Sequence, residues 1–100
     1  METYKVIVSS LDTKWYNSKD KYHRINGPAI ERTNGDKFWY KEGKLHREDG
    51  PAVELANGNK AWYLKNEYYS ELEYNRKLNP YPYEEKIVEV EGRKYKLIGV

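Results

Sequence analysis

The sequence predicts a mainly β protein: an array of antiparallel β-hairpins with one short helix and a C-terminal β-hairpin as its cap. Three observations predict this fold class. Short stretches rich in aromatic and β-branched residues alternate with turns that contain Gly. One segment recurs with an offset of 23 residues, too short a unit to bury an apolar face unless neighbouring units stack. Aromatic residues make up 15% of the chain, and they supply apolar surface for a core that the few aliphatic residues could not form alone.

The N-terminal residues predict a strand over residues 3–8, with Tyr4, Val6 and Val8 on one face. Length predicts one domain. The expected single domain, residues 1–100, comprises an N-terminal strand in 1–12, repeats in 13–69, a short helix and linker in 70–85 and a hairpin in 86–100.

The repeat is evident from residues that recur in the middle of the chain. Residues 23–31 match residues 46–54, and both segments contain His-Arg followed by Gly-Pro-Ala and Glu. The match continues through Asn34-Gly35 with Asn57-Gly58, Lys37 with Lys60, and Trp39-Tyr40 with Trp62-Tyr63. Half a unit precedes these with Trp15-Tyr16, and the pattern decays near residue 70.

Each unit predicts two consecutive hairpins. Residues 29–32 and 37–40 are expected to be a strand and its return strand around Asn34-Gly35, since both turn residues tolerate positive φ. A second turn is predicted at residues 42–43. Gly50 is expected to provide backbone freedom just before Pro51, which lacks an N–H and suits the start of a strand.

The C-terminal flank predicts a helix followed by a hairpin. Ser70 and Glu73 have the spacing of a capping box, so a two-turn helix is expected over residues 72–78. Residues 86–98 predict a hairpin in which Val88 faces Tyr95 and Glu89 faces Lys94. Both elements are expected to cap the end of the repeat stack, where an open edge would invite aggregation.

The stretch from Trp39 to Ala52 resembles the MORN-like repeat, in the Trp-Tyr…Gly…His-Arg…Gly-Pro-Ala variant that occurs in bacteria, their phages and large DNA viruses. The resemblance covers residues 13–69. It implies an antiparallel β-hairpin array used as a binding scaffold, because related MORN proteins contact proteins or membrane lipids and some bacterial relatives resemble antitoxins. Only two full units are present, and His-Arg is lost after Trp62-Tyr63, which favours a small capped module over a long array.

Composition argues against several classes of function. The absence of Cys excludes disulfides, thiolate metal sites and thiol nucleophiles. The net charge of +2 is spread evenly, whereas nucleic-acid binders concentrate Lys and Arg. The longest apolar runs are far shorter than a membrane span, and no signal peptide is recognised, so we expect a protein of the bacterial cytoplasm that does not contact a membrane.

The three Trp-Tyr steps are the strongest candidates for contact with a partner. Neighbouring strand residues face opposite ways, so one ring of each step should be core and the other should lie outside. Outward rings interleaved with Lys are suited to a protein hot spot or to base stacking, and the alternative makes both rings structural. The candidate partner-binding residues are Tyr16, Tyr40, Tyr63, Trp39, Trp62, Arg24, Arg47, Tyr81 and Tyr83.

The paired His and Arg residues allow either a functional or a structural role. His23 and His46 are metal ligands or bases that Glu48 or Asp49 would join, or turn residues whose imidazole bonds a loop carbonyl. Their neighbours Arg24 and Arg47 bind an anion, or instead pair with Glu31, Glu54 or the Glu48-Asp49 connector. We expect no catalytic residue, no metal ligand and no cofactor.

These observations predict a non-catalytic protein-binding module. Small size, absent Cys and a Lys-, Asn- and Tyr-rich composition are typical of a phage or mobile-element protein that inhibits a bacterial defence system, such as an anti-CRISPR, by binding a host protein. The alternatives are a single-stranded nucleic-acid binder, a small-molecule-binding or antitoxin-like protein, and an enzyme acting on a small nucleotide or sugar. The Tyr-rich residues 69–83 also predict a homodimer.

Overall fold

The computed structural model describes residues 3–78, 85–90 and 92–98, and its main feature is a seven-stranded antiparallel sheet. The strands are β1 (Lys5–Val8), β2 (Asp12–Tyr16), β3 (Ile30–Arg32), β4 (Lys37–Phe38), β5 (Tyr40–Lys41), β6 (Lys44–Leu45), β7 (Val53–Glu54), β8 (Lys60–Leu64), β9 (Glu67–Tyr69), β10 (Glu85–Val90) and β11 (Arg93–Ile98). The single helix of the described residues, α1 (Glu71–Leu78), lies between β9 and β10. The expected mainly β fold with one short helix is confirmed.

The sheet is a meander in the order β1-β2-β3-β4-β7-β8-β9, with β5 and β6 paired outside it. Strands β10 and β11 form a separate hairpin, and its predicted register is confirmed: Val88 pairs with Tyr95 and Glu89 with Lys94. Within the described part of the chain, no helix has the length and apolar character needed to cross a lipid bilayer.

The two recurring segments share one backbone register. Ile30 pairs with Phe38 as Val53 pairs with Ala61, and Tyr40 pairs with Leu45 as Tyr63 pairs with Tyr68. The sequence offset of 23 residues is therefore also an offset between equivalent strand pairs.

Residues 37–40 do not form the single return strand that the sequence predicts. The chain changes its pairing partner at Trp39, because β4 pairs with β7 whereas β5 pairs with β6. The Trp39 N–H donates to the Ala52 carbonyl at 2.8 Å, and the Trp39 carbonyl accepts the His46 N–H at 3.0 Å. Trp39 thus joins the main sheet to the side hairpin.

The glycines of the unit serve two different physical purposes. Gly35 has φ 104 and completes a turn in which the Asn34 side chain accepts the Asp36 N–H at 2.9 Å. Gly50 was expected to provide backbone freedom, but its φ is not positive. A Cβ at Gly50 would instead lie 2.9 Å from Cζ of Arg47, so the missing side chain makes room for the guanidinium group.

The two-residue turn between β8 and β9 is a site for a stabilising substitution. Lys65 (φ 49) and Asn66 (φ 70) are both left-handed, and a lysine in this region is disfavoured relative to Asn or Gly. We expect Lys65→Asn to raise the free energy of unfolding by about 0.5–1 kcal/mol, measured by urea denaturation. The same substitution at Lys44, which lies in strand β6, should give no gain. Equal gains at both positions would contradict the turn argument.

Asp36 links the turns of the two units. Its carboxylate accepts the Ala56 N–H at 2.8 Å and the Asn34 side-chain amide at 3.2 Å. The hydrogen bond from Ala56, followed by that from Asn34, lowers the pKa of Asp36. Because the folded state lowers this pKa, the ionised carboxylate stabilises the fold above the ordinary Asp pKa of about 4, and this contribution is lost as the pH falls through the lowered folded value.

We therefore expect Asp36→Asn to be less stable than the wild type at neutral pH, with a difference that shrinks in acid. Denaturation at a series of pH values measures this directly. A difference that stays constant down to the most acidic pH would show that the Asp36 charge makes no such contribution.

Helix α1 begins directly after Ser70, as the capping pattern predicts. Ser70 Oγ accepts the Glu73 N–H at 3.2 Å, and the helix spans Glu71–Leu78 against the expected residues 72–78. Tyr74 is buried, and its hydroxyl donates to the Arg47 carbonyl and accepts the Gly50 N–H at 3.3 Å. The other buried side chains of the described residues are Ala29, Ile30, Ala52, Leu64 and His23.

Candidate partner-binding face

The sheet has two chemically different faces. Lys5 pairs with Tyr16 and Val6 pairs with Trp15, and paired residues of neighbouring strands share a face. Because successive residues alternate, the three Trp-Tyr steps place their rings on opposite sides. We name the side with Trp15, Trp39 and Trp62 the Trp face, and the side with Tyr16, Tyr40 and Tyr63 the Tyr face.

On the Trp face, Arg24 stacks on Trp15. Its Cζ lies 4.0 Å from the centroid of the Trp15 ring. Its Nη1 donates to the Pro28 carbonyl at 3.2 Å and to Glu31 at 2.8 Å. The stack of a planar cation on the indole face adds an electrostatic attraction to the ion pair.

Arg47 repeats this arrangement one unit later. Its Cζ lies 3.8 Å from the Trp39 ring centroid, and its Nη1 donates to the Pro51 carbonyl at 3.0 Å and to Glu54 at 3.2 Å. Its Nε also donates to Asp49 at 2.9 Å. The structural interpretation, in which each Arg pairs with a Glu of its own unit or with the acidic connector, matches this geometry.

Trp62 has a different environment, because Ser70 occupies the sequence position where the next Arg would stand. Trp62 lines a cavity of about 660 Å³ together with Tyr74 and Leu78 of helix α1. The helix therefore lies on the Trp face, at the place where the Arg stack ends.

The histidines hydrogen-bond the backbone of turns, but the bonded group differs from the expected one. His23 Nδ1 accepts the Glu42 N–H at 2.9 Å, and His46 Nδ1 accepts the Lys65 N–H at 3.1 Å. The predicted partner was a loop carbonyl, whereas each ring nitrogen accepts from the backbone of a left-handed turn. Among the residues that the structure describes, no group of three or more His, Cys, Asp or Glu side chains could hold a metal ion.

An open groove of about 950 Å³ lies on the Trp face between the two units. It is lined by both histidines and both arginines, together with Trp39 and the acidic residues Glu42, Glu48 and Asp49. Glu48 lies 3.1 Å from His46 Nε2, and the arginines are bonded as described above. Both groove arginines are thus engaged by acceptors within the chain, which does not favour an anion site here.

The Tyr face carries a row of aromatic rings. The ring centroids of Tyr16 and Tyr22 lie 5.1 Å apart, those of Tyr22 and Tyr40 lie 5.2 Å apart, and those of Tyr63 and Tyr68 lie 5.7 Å apart. We call these five residues the Tyr row. Tyr68 is 64% exposed, and the other four are half-buried.

Burial and neighbouring rings raise the pKa of two hydroxyl groups in the Tyr row, those of Tyr16 and Tyr40. Burial raises the pKa of Tyr40, and the neighbouring Tyr22 and Tyr63 raise it further. Burial also raises the pKa of Tyr16, and Tyr22 adds to that effect. A tyrosine hydroxyl is protonated at neutral pH even at its ordinary pKa of about 10, so these groups can donate and accept hydrogen bonds beside an apolar ring surface.

The candidate contact residues that the sequence predicts do not include two members of the Tyr row, Tyr22 and Tyr68. The signal was present, because positions 22, 45 and 68 are related by the same offset of 23 and each immediately precedes the His position of its unit. Leu45 at the middle position hides the pattern.

The Tyr-rich segment of residues 69–83 is described only in part. Tyr81 and Tyr83 lie outside the described residues. The Tyr69 hydroxyl donates to Glu67 at 2.8 Å, and Tyr74 is buried against the repeats. The described part of the Tyr-rich segment is thus used within the chain and does not provide the expected dimer patch.

Comparison with protein-family models, with curated proteins and with solved structures finds no match to this chain. The two faces differ in how their polar groups are used, because the arginines of the Trp face are hydrogen-bonded within the chain.

Proposed function

We propose that the chain is a non-catalytic protein-binding module and that the Tyr face holds the partner. The observation that carries the proposal is the Tyr row, whose rings lie side by side on one face of the molecule. Tyr buries a large apolar ring with only two side-chain torsions to fix, and its hydroxyl supplies a hydrogen bond. Such rings dominate the binding energy of many protein interfaces.

Comparison of the faces supports this assignment. On the Trp face, each Arg covers an indole ring and bonds a backbone carbonyl, so that face stabilises the fold. Helix α1 also lies there, against Trp62. The Tyr face is free of the helix, and Lys5 borders its Tyr16 end at 5.8 Å from the ring centroid.

The scaffold that we propose for this surface is an array of MORN-like repeats. Two facts support it: the strand registers recur with the sequence offset, and so do the Arg stacks on Trp. In this proposal each Trp-Arg-Glu set holds one hairpin to the next, and each unit adds rings to the Tyr row.

The biological role that we propose is inhibition of a bacterial defence system, such as an anti-CRISPR, through occupation of a host protein's surface. The support is the composition and the resemblance of residues 13–69, together with a broad aromatic face suited to covering a partner. The protein then acts by blocking and performs no chemistry of its own.

Single-stranded nucleic acid is the competing ligand, because bases stack on Tyr. Two observations favour protein. Rings 5.1 and 5.2 Å apart already pack on one another, so no base enters between them. The net charge of +2 also provides little of the electrostatic attraction that nucleic-acid binding requires.

Affinity capture from bacterial lysate tests the proposal, with the tagged chain as bait and a parallel sample treated with nuclease. We expect the bait to capture one dominant protein, with or without nuclease treatment, and we expect a Tyr68→Ser bait to lose it. The matched control is Leu72→Ser on helix α1, because Leu72 is 61% exposed and lies off the Tyr face. Recovery that depends on nucleic acid would move the assignment to the competing ligand, and equal capture by both variants would refute the Tyr face as the contact surface.

A further inference from the structure

One edge of the main sheet is an exposed apolar strand. Strand β1 pairs only with β2 in the described residues, and its Val6, Ile7 and Val8 are 45%, 45% and 72% exposed. Its one charged residue, Lys5, lies 3.1 Å from Asp20 and is neutralised by it. Edge strands of this kind pair with other strands unless charge, Pro or a bulge prevents it.

The backbone of β1 has a defined set of free groups. The Trp15 N–H donates to the Ala29 carbonyl at 2.8 Å, so Trp15 directs its backbone away from β1. Backbone direction alternates along an antiparallel strand, so the bonds between β1 and β2 are made at Lys5 and Ile7. Val6 and Val8 therefore turn their N–H and C=O groups toward the open side of the sheet.

We propose that this edge binds the β1 strand of a second copy, antiparallel, around a two-fold axis at Ile7. In that register Val6 faces Val8 of the second copy and Ile7 faces Ile7. Every outward N–H at these positions meets an outward carbonyl, which gives four backbone hydrogen bonds. The strand is self-complementary because its free groups lie symmetrically about Ile7.

Charge and side-chain placement support a copy of this chain as the occupant. The register places Lys5 opposite Ser9 of the second copy, so no like charges face each other. It also pairs β-branched residues with one another on both faces. A two-fold axis perpendicular to the sheet keeps both Tyr faces on the same side, so the dimer presents two Tyr rows on one continuous sheet.

Mass measurement by light scattering, after gel filtration at rising protein concentration, tests the proposal. We expect the wild type to reach twice the 12.0 kDa of one chain. Val8→Lys places a charge on the edge and should remain monomeric at all concentrations tested. Leu11→Lys is the matched control, because Leu11 is also 72% exposed but lies beyond the end of the strand, and it should dimerise like the wild type.

A cysteine variant tests the register. The chain has no Cys, so Ile7→Cys carries a single thiol. The two Cα atoms of a facing pair without hydrogen bonds lie about 4.5 Å apart, within the range that a disulfide spans. Oxidation should give a covalent dimer of Ile7→Cys and none of Leu11→Cys.

A wild type that stays monomeric, or a dimer that Val8→Lys leaves intact, would overturn the proposal. Neither result bears on capture of a partner by the Tyr face.

Discussion

Replacing Arg47 by alanine is expected to lower the free energy of unfolding by about 3 kcal/mol. The substitution removes the cation stacked 3.8 Å from the Trp39 ring centroid. It also leaves the Pro51 carbonyl and the Glu54 and Asp49 carboxylates without their donor. Few side chains of the described residues are buried, so we expect little other packing to compensate for the loss of the stack.

Three further variants show whether the effect of Arg47 comes from its stacked, hydrogen-bonded guanidinium group or from its charge alone. Arg47→Lys keeps the charge but cannot donate from a planar group to three acceptors, so we expect it to lose most of the same stability. Arg24→Ala should lose less, since Asn26 stands where Asp49 stands in the later unit. Arg76→Ala, on an exposed turn of helix α1, should change little.

Urea denaturation followed by circular dichroism measures the free energy of unfolding of the four variants and of the wild type. An Arg47→Ala protein as stable as Arg76→Ala would contradict the argument that the Trp face holds the repeats together.

Replacing Tyr40 by alanine is expected to weaken binding to the captured partner by about 30-fold, or about 2 kcal/mol. Tyr40 lies beside Tyr22 at 5.2 Å between ring centroids, and its pKa responds to both Tyr22 and Tyr63. It therefore holds the centre of the Tyr row, and central aromatic residues carry most of the energy of an interface.

Titration calorimetry with the purified partner measures this effect. Tyr40→Phe keeps the ring and should retain most of the affinity, because it loses only the hydroxyl group. Lys60→Ala is the control on the Trp face and should bind like the wild type, provided that all variants show the wild-type circular dichroism spectrum. Equal losses for Tyr40→Ala and Lys60→Ala would contradict a contact confined to the Tyr face.

The local elements of the fold were predictable because their causes are local. The left-handed turn at Gly43, the cap at Ser70 and the register of the C-terminal hairpin each depend on residues a few positions apart. The offset of 23 residues likewise predicts that equivalent strand pairs recur, and they do.

The rest of the fold depends on contacts between distant residues, which no local pattern contains. The break at Trp39 arises because Ala52 and His46 bond the same residue. The role of Gly50 follows from the position of the Arg47 guanidinium group, which sequence spacing does not give. The hydrogen bond from the Glu42 N–H to His23 joins residues 19 positions apart. The spacing of the sequence does not show which group the His23 ring contacts.

The site was predictable to a similar degree. Strand alternation placed Trp and Tyr of each step on opposite faces, which identifies Tyr16, Tyr40 and Tyr63 as one surface. Strand alternation could not show which of the two faces is occupied by contacts within the chain, because that depends on the stacking of Arg on Trp. Tyr22 and Tyr68 entered the site only once the strand pairing was known.

Hydroxyl-radical footprinting of the complex with the captured partner tests most directly which face binds. Tyr68 is 64% exposed on the Tyr face, and Ile25 is 60% exposed at the groove of the Trp face, so both start with similar access to the reagent. We predict that binding strongly reduces the labelling of Tyr68 and of the Tyr row while Ile25 keeps its rate. Protection of Ile25 and the groove, with Tyr68 labelled as in the free chain, would contradict the Tyr face as the site.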